Sequence, residues 1–268
     1  MGGTLYTIKS QVKWFSKVVV LSKYEIRNSY QGHYLGKFWE ILNPLIQILI
    51  YYFVFGIKLE GDKRIGDIPY LFWMIGGLIP WFFISSSIIQ SANSVLNKGQ
   101  LFIRTDFPME AVPLIPIINN LRRFIIMTII FVLTLLMNNI TITIYIFYYF
   151  LYVFFLTLFL DSLGIFLSAL VVVFRDVKQI LTSIIRILFY ISGVTIQIDS
   201  KNGSIFEKIL SMNPLYYFIE GFRDIFFSRA IFFQNMDKTF FVLSLMLFIY
   251  ILGAMLLNNI KNNYLEYL

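Results

Sequence analysis

The chain has no cysteine, one histidine and only 14% charged residues in a length of 268. Without cysteine there are no disulfide staples and no thiolate metal sites. A lone histidine, His33, is far more often a surface residue than a ligand. So little charge cannot supply the polar surface that a soluble globule of this length needs. Motifs for covalent chemistry are missing as well: there is no HExxH, no nucleophile elbow and no close acidic pair. A nucleotide-hydrolysing chain would carry GxxxxGK[ST], whose glycines let backbone N–H groups surround phosphate. The nearest stretch, Gly32-His33-Tyr34-Leu35-Gly36-Lys37-Phe38, is one residue short between its glycines and has Phe38 in place of the metal-binding hydroxyl.

What the chain has in quantity is apolar: 58% hydrophobic residues, 19% aromatic, and a mean hydropathy of +0.75. This predicts an all-α integral membrane protein, a single domain over 1–268. About 20 helical residues cross the hydrocarbon. Apolar runs at 41–57, 70–92, 114–137, 141–173, 177–196 and 240–258 predict six transmembrane helices. Residues 1–40 form the approach to the membrane, 41–258 the six-helix domain and 259–268 a tail. Gly76, Gly77 and Pro80 predict a kink or unwound turn in the second span. The fourth run is too long for one perpendicular span, which predicts a tilt or an interfacial turn around 145–152.

Charge placement orients the stack. With the amino terminus inside, that side collects Lys9, Lys13, Lys17, Lys23, Arg27, Arg175 and Lys178, while the far side balances its basic residues with Glu60, Asp62, Asp67, Glu220 and Asp224. The positive-inside rule then puts both termini in the cytoplasm and the chain in the plasma membrane. The net charge of +7 is a topology signal and gives no reason to expect nucleic acid. The first forty residues do not read as a signal peptide. Ile8, Val12, Phe15, Val19 and Ile26 recur at roughly helical spacing with lysines opposite, predicting an amphipathic interfacial helix. A short helix is expected within 98–109. Before the last span, Ile205, Phe206, Ile209 and Leu210, then Asn213-Pro214, then Leu215, Phe218, Ile219, Phe222, Ile225 and Phe226 predict a short re-entrant helical hairpin on the outer side.

Several residues stand out chemically. Pro44 suits the first turn of a helix and Asn43 can cap it, so the first span is expected to start there. Asp161 and Arg186 fall at similar depth in adjacent spans and are expected to form a structural ion pair, because an intramembrane charge is costly alone. Arg122 and Arg123 suit either snorkelling to lipid phosphate or holding a phosphate-bearing substrate. Trp73, Trp81, Phe82, Phe83 and Tyr190 lie within spans, where they are either packing residues or the flat lining of a channel along which sugars slide.

Leu35-Gly36, Trp39, Leu42, Asn43 and Pro44 match the LGxxWxxLNP signature of permease subunits in ABC-2 type polysaccharide exporters. Phe107-Pro108, Arg175-Asp176 and Asn213-Pro214-Leu215 follow in that family's order. The chain resembles this family along essentially its whole length, most of all the permeases that export wall teichoic acid; O-antigen permeases share the signature and topology. The resemblance implies a homodimer bound to two copies of a separate ABC ATPase, with ATP and Mg on that partner and no cofactor or catalytic residue in this chain. It implies an ATPase-coupling surface of Glu25, Arg27, Tyr30, His33, Tyr34, Arg104, Asp106, Phe107, Arg175 and Asp176. The implied substrate is a polymer linked to a polyprenyl diphosphate. A drug exporter permease and a membrane enzyme acting on lipid-linked sugars are the competing readings; missing acid–base residues count against the enzyme.

Overall fold

A computed structural model of the chain describes residues 2–29, 31, 34–51, 53–54, 64–98, 105–140, 144–196, 210, 212–227 and 236–262. Among these are eight α-helices: α1 Gly2–Ser29, α2 Trp39–Tyr51, α3 Tyr70–Asn97, α4 Leu114–Met137, α5 Tyr148–Val173, α6 Val177–Ile191, α7 Pro214–Phe227 and α8 Met236–Asn262. A two-residue hairpin, β1 Arg64–Ile65 with β2 Ile68–Pro69, turns at Gly66 just before α3. Four helical segments are long and apolar enough to cross a membrane: Tyr70–Asn97, Met109–Met137, Ile144–Val173 and Met236–Lys261. Of the six expected spans, the fifth is shorter, and the first is described as a helix only to Tyr51, with 52 and 55–57 outside the described residues. With 15 residues, α6 reaches only about 20 Å at 1.5 Å per residue, against roughly 30 Å of hydrocarbon.

The centre of the bundle is α5, held between α3 and α8. In lipid, helices associate by close packing rather than by hydrophobic exclusion, so small residues mark the crossings. Gly164 of α5 lies over Ser91 of α3, where an added Cβ would come within 3.0 Å of the Ser91 side chain. On the other side Gly253 of α8 meets the α5 backbone itself: its Cβ would lie 2.7 Å from the Phe166 nitrogen. Backbone cannot move aside as a side chain can. Gly253→Leu is therefore expected to cost more than the ~1–3 kcal/mol typical of overpacking, read as a lowered detergent melting temperature, whereas Leu252→Ala should change it little. The serines between these helices bond within their own helix, Ser91 Oγ to the Ser87 carbonyl at 2.6 Å and Ser168 Oγ to that of Ile165 at 3.0 Å. These two hydroxyls are thereby satisfied in hydrocarbon, whereas Ser87 Oγ is buried with no hydrogen-bond partner among the described residues.

Two local expectations are corrected. Pro44 is not in the first turn: a 3-10 turn at Gly36–Phe38, with Gly36 at φ +48°, leads straight into α2 at Trp39, which puts Pro44 inside the helix. The aromatic approach is itself helical, so the start precedes the proline. Nor does α3 unwind, since residues 70–97 form one helix with Pro80 inside it. Of the segment 98–109, where a short helix is expected, residues 99–104 lie outside the described residues; 105–108 are not helical and Met109–Ala111 forms a 3-10 turn. The turn expected before the fourth span is present as a 3-10 helix at Ile144–Phe147.

Only the second arm of the expected hairpin can be followed, because 205–209 lie outside the described residues. Pro214 opens α7, and Asn213 Oδ1 accepts from the Leu215 N–H at 2.9 Å, a side-chain cap on the first turn. Leu215, Phe218, Ile219, Phe222, Ile225 and Phe226 are all buried, so α7 is packed inside the bundle against α3. Its anchor is Arg223, whose side chain is 0% exposed. The guanidinium donates to the carbonyls of Trp73 (3.0 Å), Gly193 (2.8 Å) and Val194 (2.6 Å), pairs with Glu220 at 2.5 Å, and lies 3.5 Å over the Trp73 ring. Gly77 makes room for it: a Cβ there would collide with the guanidinium and come within 2.8 Å of the Val194 oxygen. The glycines that suggested an unwound helix are instead a bed for this arginine.

Candidate functional site: a polar cavity beside α2

Helical spacing puts Trp39, Asn43 and Gln47 on one stripe of α2 and Asn120, Arg123 and Met127 on one stripe of α4. Together with Ile79, Phe83 and Ser86 of α3, which repeat in the same way, these stripes enclose a cavity of about 170 Å³. Its apolar wall includes Phe83 and Phe124, stacked at 4.9 Å between ring centroids. Asn120 is tied to α3 by donating to Gln90 Oε1 at 3.3 Å. One cation, several amides, a hydroxyl and an indole thus converge among aromatic and aliphatic side chains. That combination suits an anionic group joined to an apolar tail.

The sequence candidates divide around this cavity. Arg123, Phe82 and Phe83 line it; Arg122 does not. Trp73 and Trp81 are buried, 1% and 5% exposed, and pack as core residues, Trp73 beneath Arg223 and Trp81 against Phe189. They are not channel lining here, because the aromatic face of α3 turns toward α6 and α7. Tyr190 is exposed on α6. Gln47, Ser86 and Asn120 were missed from sequence; polar residues every three to four positions in otherwise apolar helices were the available signal.

The expected Asp161–Arg186 ion pair is not formed. Asp161 is 5% exposed, and both its carboxylate oxygens accept from Gln11 Nε2 of α1 at 3.1 Å. Arg186 lies on the exposed side of α6. Equal depth fixes the rise along a helix but not the direction around it. Gln11 also donates to the Glu110 carbonyl and accepts from the Tyr250 hydroxyl, and Glu110 pairs with Lys261 at 3.2 Å. The inward face of α1 is accordingly mixed, with Thr7, Ser10, Gln11 and Ser22 buried alongside Val18 and Ile26, while Ile8, Val12 and Phe15 are exposed. Asp161→Leu is expected to remove α1's main hydrogen-bond acceptor and cost about 1–3 kcal/mol, with faster proteolysis within α1 as the readout. Asp161→Asn, which keeps an acceptor oxygen, should be milder.

At the far end of α1, Glu25 pairs with Lys98 at 2.5 Å and accepts from Asn119 at 3.0 Å, bracing α1 against α3 and α4. Phe107 is buried edge-on against Trp14 at 5.4 Å. Arg27, Tyr34, Asp106, Arg175 and Asp176 are exposed; Tyr30, His33 and Arg104 lie outside the described residues.

Residues 16–227, which hold this cavity, α1's bracing contacts and α7, match the ABC-2 type transporter family. The chain belongs to that family. It is similar to an O-antigen export system permease protein RfbA of Klebsiella pneumoniae, 25% identical over 255 residues and 95% of each chain. A protein of the same name from Myxococcus xanthus is 23% identical over 215 residues, covering 80% of this chain and 81% of the relative. As a member of that family, the chain is the transmembrane part of an ABC-2 type transporter.

Proposed function

We propose that this permease moves a glycan linked to polyprenyl diphosphate from the cytoplasmic to the outer side of the plasma membrane, with the diphosphate held at Arg123. The cavity carries the reading: a cation and amide groups behind α2 would take phosphate, and the surrounding aromatics would take the first isoprene units or sugars. Phosphate and sugar hydroxyls cannot cross hydrocarbon unaided, so both a polar path and an energy source are needed. The names of the relatives favour an O-antigen-type glycan over the wall teichoic acid suggested by the sequence motifs.

In this reading two copies of the chain pair with two copies of an ABC ATPase, which binds ATP and Mg, and both termini of each permease are cytoplasmic. Arg27, Tyr34, Asp106, Arg175 and Asp176 are exposed for the ATPase. Glu25 and Phe107 act differently, by bracing α1, so that a push on the exposed residues reaches α3, α4 and α5. Co-expression with the partner ATPase and reconstitution in vesicles tests the proposal. ATP-dependent protection of a lipid-linked glycan from an external glycosidase is the expected outcome, with Arg27→Ala lowering coupled hydrolysis. Failure of the chains to copurify would remove the exporter reading. Transport of a neutral glycan in preference to a poly(glycerol phosphate) chain would select the O-antigen type over teichoic acid.

A further inference from the structure

Helix α6 has three sides, spaced about a third of a turn apart at 3.6 residues per turn. Leu181, Ile185 and Phe189 are buried against the bundle, and Phe189 packs on Tyr51 and Trp81. Ile180, Ile184 and Ile187 form a second side that is exposed and apolar. Gln179, Ser183, Arg186 and Tyr190 form a third side that is exposed and polar, at spacings of four, three and four. The second side suits lipid. The third does not: no described residue makes an ion pair or hydrogen bond with Arg186, and an arginine facing hydrocarbon is costly. Arg186 is the tenth residue of α6, about 14 Å along the helix from Val177, beyond the reach of the charged turn at Arg175-Asp176.

We infer that the Gln179–Ser183–Arg186–Tyr190 stripe faces the water-filled translocation path and that Arg186 is a specificity-determining contact for phosphate, taking the diphosphate of the lipid-linked chain after it leaves Arg123. This rests on the proposed export of a diphosphate-linked glycan. The stripe itself requires only that α6 border water. A guanidinium binds phosphate through paired N–H donors, and Ser183 and Gln179, about one and two turns away toward Val177, add neutral donors that hold a passing anion without trapping it.

The chain's lack of cysteine makes the test direct. Single cysteines are placed at Ser183 and Ile184 in the full permease–ATPase complex in vesicles and treated with a charged methanethiosulfonate reagent, which reacts with thiols in water. Ser183→Cys should label at least about tenfold faster than Ile184→Cys, the difference expected for a thiol in water against one in lipid. Undecaprenyl diphosphate should then slow labelling of Ser183→Cys by about tenfold, the equivalent of one charge-assisted hydrogen bond. The same amount of phosphatidylglycerol should not, which separates a translocated diphosphate from a resident lipid headgroup. Adding Arg186→Gln should abolish the protection and Arg186→Lys should restore part of it. Equal labelling at 183 and 184, protection by phosphatidylglycerol, or protection that survives Arg186→Gln would each overturn the inference. Protection with Arg186 intact, in a complex that translocates no glycan, would instead overturn the export reading and leave the phosphate contact standing.

Discussion

Replacing Arg223 by leucine is expected to lower stability by about 3–5 kcal/mol, the loss seen when one partner of a buried, hydrogen-bonded charge is removed. Three backbone carbonyls, those of Trp73, Gly193 and Val194, would lose their donor. They belong to α3 and to the turn after α6, so the arginine ties three parts of the chain at one point. Water cannot replace it, because the side chain is wholly enclosed. Two companion variants separate the causes. Gly77→Val should be nearly as damaging with the arginine still present, since its side chain would occupy the guanidinium's place. Glu220→Gln should cost only about 1 kcal/mol, because Glu220 is 24% exposed and the carbonyls still hold the arginine. Thermal unfolding in detergent, followed by size-exclusion fluorescence, checks all three; a mild Arg223→Leu would mean that α7 is held by its apolar face alone.

Arg123→Gln is expected to reduce export of a diphosphate-linked glycan by about tenfold to hundredfold, since hydrogen bonds to charged groups contribute roughly 1.5–3 kcal/mol. The loss should fall mainly on the concentration of lipid-linked substrate needed for half-maximal transport, because Arg123 lines the cavity with Trp39, Asn43 and Gln47 rather than the surface proposed for the ATPase. Arg123→Lys should recover part of the activity, as lysine keeps the charge but loses the paired donors. Arg122→Gln, next along α4 and outside the cavity lining, should have a much smaller effect. An initial-rate assay across substrate concentrations decides it. Equal losses at the two arginines would point to a general effect of positive charge near the membrane surface, with no site at Arg123.

Much of the architecture was legible because it depends on composition and on helical period. The long spans appear where apolar runs of sufficient length stand, and the buried face of α7 is the set Leu215, Phe218, Ile219, Phe222, Ile225 and Phe226 that spacing picked out. Asn213-Pro214 marked the start of that helix because a cap and an N-terminal proline act within one turn. Errors arose where direction around a helix mattered. Asp161 was matched to Arg186 by depth, yet its partner is Gln11, 150 residues away. For Trp73 and Trp81 the sequence leaves packing and lining both open, and the structure buries them as core residues. Arg223 stands between Glu220 and Asp224, charges that the sequence assigns to the far side, and is the most enclosed cation among the described residues.

The sequence by itself determined that this is a helical membrane protein, since hydropathy and helical period are properties of the chain alone. Its LGxxWxxLNP signature carried the resemblance to its transporter family. Only the tertiary structure decided that Trp39, Asn43, Gln47, Asn120 and Arg123 share a cavity, that Gly77 accommodates Arg223, and that α1 buries Thr7, Ser10, Gln11 and Ser22. The reason is physical: rise and period are local and set by the backbone, whereas azimuth and partner are set by how helices pack, through contacts between residues far apart in the chain.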